Sequence, residues 1–121
     1  MLVMFDLAGF KCYNDSLGHV VGDEILKAFA EVLAHANRAM NLVARFGGDE
    51  FVSVPSEGDE KGAHGYQARV YARIKVDPVL ASHGLTASSG VAVFEPGKTQ
   101  RVEDLIQAAD RRMYGNKPAR D

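Results

Sequence analysis

Apolar and polar positions along the chain follow two periods, which together predict a mixture of strands and helices. Compact apolar runs, typical of buried strands, occupy residues 1–7, 42–44, 51–54 and 85–94. Apolar residues at three- and four-residue spacing predict helices over residues 10–17, from about 22 to 36, 63–75 and 102–114. The order is strand, two helices, hairpin, helix, strand and helix. This order predicts an α+β fold with a mainly antiparallel central sheet and flanking helices.

The predicted hairpin carries the heptapeptide RFGGDEF at residues 45–51. Glycine adopts a positive φ at no steric cost, so Gly47 and Gly48 predict a tight turn between the two strands. The turn explains the glycines but not Asp49 and Glu50, which follow them directly. Acidic residues at the exit of a hairpin are usually solvated surface charges, so their role depends on what lies beside them.

Composition limits the class of protein. The chain has 121 residues, of which 46% are hydrophobic and 25% charged, so we expect one globular domain with its own core. A net charge of −2 argues against a nonspecific nucleic-acid binder. The single cysteine, Cys12, excludes an intrachain disulfide, fits a reducing compartment and is expected to be a small buried side chain. The opening apolar run is interrupted by Asp6 and resembles neither a signal peptide nor a membrane span, so we expect a cytoplasmic domain without membrane contact.

A second acidic residue stands at the end of a predicted strand. Asp6 closes the first strand, and Asp49 leaves the hairpin turn. If the first strand lies beside the hairpin, both carboxylates emerge at the same sheet edge. Carboxylates held that close repel one another, and they either take up a proton or bind a hard cation such as Mg²⁺. Two adjacent metals could then activate a hydroxyl and stabilise a leaving pyrophosphate. The alternative is that both are ordinary exposed acids.

Four sequence blocks together resemble one known family. RFGGDEF matches the signature of the GGDEF family of diguanylate cyclases. FDLAGFKCYNDSLGHVVGDEIL, at residues 5–26, is similar to the family's first block. LTASSGVAVF at residues 85–94 and AADRRMYGNK at residues 108–117 are similar to its later strand and its closing helix. The resemblance covers residues 2–117 and keeps the four blocks in order.

The resemblance implies a fold and a reaction. Family members have a palm-like α+β fold and join two GTP molecules into cyclic di-GMP with release of two pyrophosphates. Each domain binds one GTP, so catalysis needs a homodimer, with Mg²⁺ or Mn²⁺ as cofactor and a fused or partner sensory domain as regulator. The alternatives are a weak or inactive module that binds GTP or cyclic di-GMP, and a dimerisation domain with a relic site. Intact Asn14 and Asp23 speak against the relic.

The acidic positions match the family's metal site. Asp6 and Asp49 correspond to its metal-binding carboxylates, and the backbone carbonyl of Leu7 to a further ligand. Glu50 corresponds to the second acid of the signature, with a role in metal binding or proton transfer. A charge that merely ends a strand is the alternative for Asp6, and a structural salt bridge is the alternative for Glu50.

Other positions match the family's nucleotide contacts. Asn14 and Asp23 correspond to the residues that read guanine, although Asp23 in the first turn of the second helix could also be an N-cap. The phosphate and ribose contacts implied are Phe10, Lys11, Gly47, Gly48 and Lys117. Core packing explains Phe10 equally well, and both lysines could be solvated surface charges. We expect His19, between the two helices, to be structural.

The chain also departs from the family pattern. Ala8 stands where many members have a second Asp, which lowers the negative charge expected at the metal site. Arg38 and Asn41 occupy the place of the inhibitory Arg-x-x-Asp motif, so inhibition by product at that site is not expected. No counterpart of the family's N-terminal helix or its final strand is visible, so we expect a single domain over residues 1–121 without those two elements.

Overall fold

A computed structural model describes residues 1–36, 41–55, 60–95, 97 and 101–115 of the chain. The side chains of residues 41 and 60 are not part of that description. The elements, in chain order, are β1 (Leu2–Ala8), α1 (Phe10–Leu17), α2 (His19–His35), β2 (Asn41–Arg45), β3 (Glu50–Pro55), α3 (Glu60–Val76), α4 (Pro78–Ser82), β4 (Thr86–Ala92) and α5 (Val102–Gly115).

The four strands form one antiparallel sheet in the order β2-β3-β1-β4. The first strand therefore lies beside the hairpin, which was the condition for Asp6 and Asp49 to emerge at the same sheet edge. In this register Asp6 of β1 stands opposite Glu50 of β3 and opposite Ser88 of β4. The predicted α+β fold with a central antiparallel sheet is confirmed.

Strand β1 is buried on both faces because helices cover both sides of the sheet. Its side chains alternate between two apolar clusters, as a strand requires. Val3, Phe5 and Leu7 join the larger cluster, to which α2 and α3 contribute, whereas Leu2 and Met4 join a smaller cluster under α5. Burial on both faces explains why β1 is apolar at every position except Asp6.

Each face of the sheet packs against its helices through one specific contact: a buried hydroxyl on one face and a glycine on the other. The Tyr66 hydroxyl is buried between Ser53 and Leu33, with Oη–Oγ and Oη–O distances of 2.7 and 2.9 Å. Burial raises the pKa of Tyr66 above its ordinary value of 10.0. On the other face, a Cβ at Gly90 would lie 2.1 Å from the backbone oxygen of Ala109, so α5 packs against β4 only because position 90 is glycine.

The structure corrects the start of the second helix. Helix α2 begins at His19 rather than at Gly22, so Gly22 is an interior helical residue. Asp23 therefore does not lie in the first turn, and the N-cap alternative for it is wrong. Gly18, with φ of 89°, separates α1 from α2 and gives the chain its change of direction.

The short helix α4 was not predicted from the sequence. Asp77 and Pro78 follow the end of α3 and begin α4. The Asp77 carboxylate accepts hydrogen bonds from the backbone N–H groups of Val79 and Leu80 at 3.0 and 3.1 Å, and Pro78 occupies the first turn. Within the described ranges, no helix is both long and apolar enough to cross a membrane.

Candidate functional site: an acidic cluster beside a glycine turn

The register of β1 and β3 places three carboxylates together at one edge of the sheet. Ligand oxygens of Asp6, Asp49 and Glu50 all lie within 4.8 Å of one another, and this set is called the carboxylate cluster below. Asp6 is only 4% exposed, and the other two are half-buried. Three negative groups at this spacing repel unless a proton or a cation compensates them. All-oxygen donors of this charge suit a hard divalent ion such as Mg²⁺.

A backbone hydrogen bond ties the turn to the neighbouring strand. The N–H of Leu7 donates to the carbonyl oxygen of Asp49 at 3.1 Å. This contact fixes the spacing of Asp49 from Asp6, which directly precedes Leu7. The role of the Leu7 carbonyl as a metal ligand stays a prediction.

The turn is built differently from the tight glycine turn that the sequence predicts. Among the described glycines, only four have a left-handed φ, and neither Gly47 nor Gly48 is one of them. The N–H groups of Phe46 and Gly47 both donate to the carbonyl oxygen of Glu50, at 2.8 and 3.3 Å. The prediction of positive φ at this turn is wrong, because the loop is longer and is closed by these shared hydrogen bonds.

Arg45 holds the turn from the end of β2. Its Nε donates to the carbonyl oxygen of Gly47 at 3.1 Å, and its Nη2 donates to that of Gly48 at 2.8 Å. Arg45 was not among the predicted site residues. A strand-terminal arginine two residues before a pair of glycines, whose backbone oxygens it can reach, was the signal that could have found it.

The two glycines are not required by the fold around them. A Cβ at Gly48 would meet no atom of the described residues within 4 Å. A Cβ at Gly47 would make only ordinary contact with the Glu50 side chain, at 3.7 Å. Neither backbone conformation nor packing therefore explains this pair, and open space is left above the turn beside the carboxylate cluster.

The predicted guanine-reading residues lie on the two helices that follow β1. Asn14 is half-buried on α1, and its Nδ2 lies 3.3 Å from Nδ1 of His19. Asp23 is exposed on α2, one residue after the buried Gly22. His19, which we expected to lie between the two helices, is the first residue of α2, where its side chain contacts Asn14.

The remaining predicted positions have mixed outcomes. Phe10 is 7% exposed and belongs to the larger apolar cluster, which supports its core-packing alternative. Lys11 is exposed on α1. Arg38 and Lys117 lie outside the described residues, and Asn41 is described only as the first residue of β2. Cys12 is exposed, so the prediction that it is buried is wrong.

Comparison with known proteins decides the family. The whole chain, residues 1–121, matches the family model described as diguanylate cyclase, GGDEF domain. The chain belongs to the GGDEF family. The fold agrees with this assignment: the crystal structure of the GGDEF domain of PA1120 (YfiN or TpbB) from Pseudomonas aeruginosa superposes with a TM-score of 0.80, at 28% identity, over 93% of this chain and 72% of that chain. The palm-like fold implied by the resemblance is thereby confirmed.

Two relatives of this GGDEF chain are much longer proteins. It is 36% identical over 120 residues to the cyclic di-GMP phosphodiesterase NbdA of Pseudomonas aeruginosa, covering 97% of this chain and 15% of that protein. It is 33% identical over 117 residues to the response regulator PleD of Caulobacter vibrioides, covering 93% of this chain and 26% of that protein. The chain thus spans about a quarter or less of the length of these two relatives.

Proposed function

We propose that this GGDEF domain is a diguanylate cyclase that condenses two GTP molecules into cyclic di-GMP. The observation that carries the proposal is the carboxylate cluster beside the open space at Gly48, in a chain whose family model is that of diguanylate cyclases. The cluster offers a cation several carboxylate oxygens, and the turn offers a phosphate room to approach it.

The reaction forms two phosphodiester bonds between two nucleotides. In each step the 3′-hydroxyl oxygen of one GTP attacks the α-phosphorus of the other. A bond forms between that oxygen and phosphorus, the bond from phosphorus to the β-bridging oxygen breaks, and pyrophosphate leaves. Since each domain holds one GTP, we propose that two copies of the chain face each other during catalysis.

The residues of the cluster have separate roles in this proposal. Asp6 and Asp49, with the carbonyl of Leu7, would hold Mg²⁺ or Mn²⁺. The bound ion would supply positive charge against the phosphates and the leaving pyrophosphate. Glu50 would accept the proton of the attacking hydroxyl or complete the metal site. Burial of Asp6 and its placement opposite Glu50 hold these oxygens in fixed relative positions.

Base and phosphate contacts complete the proposed substrate site. Asn14 and Asp23 would pair with guanine through their amide and carboxylate groups. Gly47 and Gly48 would let the nucleotide approach the backbone, while Lys11 and Lys117 would supply mobile positive charge to the phosphates.

The decisive experiment measures product directly. The purified chain is incubated at high concentration with GTP and Mg²⁺, and cyclic di-GMP is separated by chromatography. We expect Asp49→Asn, which keeps the side-chain shape but removes the charge, to abolish product with an unchanged circular dichroism spectrum. Glu103→Gln, at an exposed acid of α5, is the matched control and should retain full activity. Wild-type turnover in Asp49→Asn would overturn the metal assignment.

A second candidate function is a weak or inactive module that binds GTP or cyclic di-GMP and regulates a partner. Ala8 favours it, because it leaves the site with less negative charge than many family members carry. The name of the relative NbdA, a phosphodiesterase, also favours it. GTP binding without product at any protein concentration would select this module over the cyclase.

A further inference from the structure

An interior glycine of α2 lies directly against the amide of Asn14. Gly22 is buried, and a Cβ built on it would lie 2.1 Å from Oδ1 of Asn14 and 3.0 Å from its Cγ. Real Cβ atoms do not approach other atoms this closely. The Asn14 amide therefore occupies the space that any side chain at position 22 would fill.

The two closest of these atoms, Oδ1 and Cγ, belong to the amide at the end of the Asn14 side chain, and the third, its Cβ at 3.4 Å, lies at an ordinary contact distance. At Gly90, by contrast, the clash is with the backbone of α5. Gly22 also has no left-handed φ, and its N–H donates to the carbonyl of Gly18 at 3.1 Å. Alanine thus fits the backbone of α2 and would displace only the amide of Asn14.

Glycine is a poorer helix residue than alanine, because it loses more backbone freedom on folding. Keeping it inside α2 therefore reduces the stability of the helix. The gain visible in the structure is the seat for Asn14. The other end of the same amide is fixed as well, since its Nδ2 lies 3.3 Å from Nδ1 of His19.

We propose that Gly22 is a positioning residue that sets base selectivity by seating the Asn14 amide, with His19 orienting it. This inference rests on the proposed function, in which Asn14 reads guanine. Guanine and adenine present different donor and acceptor groups at corresponding positions, so an amide held in one orientation discriminates between them. An amide pushed out of its seat loses that discrimination.

The test compares nucleotide selectivity with stability in matched variants. Calorimetry gives the affinities for GTP and ATP with Mg²⁺ for wild type, Gly22→Ala, Asn14→Ala and the double variant. We expect Gly22→Ala to lower the preference for GTP over ATP by about tenfold or more, while its melting temperature does not fall. We expect the double variant to be no less selective than Asn14→Ala alone, because both changes remove the same interaction.

A control variant makes the same substitution elsewhere in a helix. Gly65 lies inside α3, where a Cβ would meet only the guanidinium tip of Arg69 at 3.3 Å. Gly65→Ala should therefore keep the wild-type selectivity. An unchanged GTP preference in Gly22→Ala would overturn the proposal. A lower melting temperature of that variant would overturn it too, because Gly22 would then serve packing.

Failure of the proposed function gives a different result. If the wild-type chain does not prefer GTP to ATP, the assignment of Asn14 to guanine is wrong. The proposal that Gly22 sets base selectivity then fails as well. NMR tests the position of Asn14 independently of nucleotide binding, through the resonance of its side-chain amide. That resonance should shift in Gly22→Ala and stay in place in Gly65→Ala, and an unshifted resonance in Gly22→Ala would overturn the seat itself.

Discussion

Replacing Gly48 by alanine separates the needs of the fold from those of the site. Gly48 is exposed, its φ is not left-handed, and an added Cβ meets no described atom within 4 Å. Its carbonyl oxygen, which accepts a hydrogen bond from Arg45, is unaffected by a methyl group. The substitution should therefore leave the folded turn as it is and change only the space above it.

The expected effect on stability is small and positive. Alanine in an unstrained position reduces the freedom of the unfolded chain, which stabilises a protein by about 0.4–1 kcal/mol. With an unfolding entropy of about 2.1 cal/mol/K per residue, the melting temperature of this 121-residue chain should rise by about 2–4 °C. The expected effect on activity has the opposite sign. A methyl group in the path of the nucleotide should misplace it and lower turnover by about a hundredfold.

The assay measures pyrophosphate release from GTP and thermal unfolding on the same preparation. Gly84→Ala is the control, because a Cβ there also meets no described atom within 4 Å, but its φ is +64°. Left-handed backbone costs an alanine about 1–2 kcal/mol. Gly84→Ala should therefore melt about 4–8 °C lower and keep its turnover. Full turnover of Gly48→Ala would refute the contact with nucleotide, and a lower melting temperature would refute the reasoning about the turn.

Three further outcomes follow from other contacts. Arg45→Ala removes two hydrogen bonds to the turn and should lower turnover about tenfold or more. Arg45→Lys should recover part of that turnover. Wild-type turnover in Arg45→Ala would contradict this role. Tyr66→Phe removes the hydroxyl that contacts Ser53 and the Leu33 carbonyl. The free energy of unfolding, measured in urea, should fall by about 1–3 kcal/mol. An unchanged value would contradict the buried contact. Burial raises the pKa of Tyr66 above its ordinary value of 10.0. Above pH 10 the unfolded chain therefore loses the Tyr66 proton before the folded chain does. The free energy of unfolding then falls as pH rises, by at most about 1.4 kcal/mol per pH unit. Urea titrations between neutral pH and pH 11 should show a smaller fall in Tyr66→Phe, and equal falls would refute the linkage.

The sheet and the carboxylate cluster were predictable from sequence because they depend on local pattern and simple topology. Strand β1 reads as a buried run, and a hairpin beside it can only place Asp6 near Asp49 and Glu50 at one edge. Strand periodicity fixes which face each residue occupies. The family resemblance added roles to these residues, and the structure added their spacing.

The missed features depend on single residues and their contacts rather than on an apolar period. Helix α4 has 5 residues, too few for an apolar period, and the Asp77 cap is its main signal. Helix α2 begins at His19 because Gly18, not Gly22, makes the change of direction. Gly22, which stands at the start of the predicted second helix, lies inside α2 instead. Its place inside a helix is explained only by Asn14 on the neighbouring helix.

In the proposed site, Gly22 and Gly48 are the two positions that leave room for a nucleotide and its base reader. Neither glycine has a left-handed φ, and the contacts found for an added Cβ include no backbone atom at either position. Local structure alone would therefore favour alanine at both positions. In the proposed site one lies behind the base reader and the other beside the phosphates. The site is therefore made partly by omitting side chains, at some cost in stability. For this reason, substitutions that stabilise the chain at these two glycines are expected to be those that disable it.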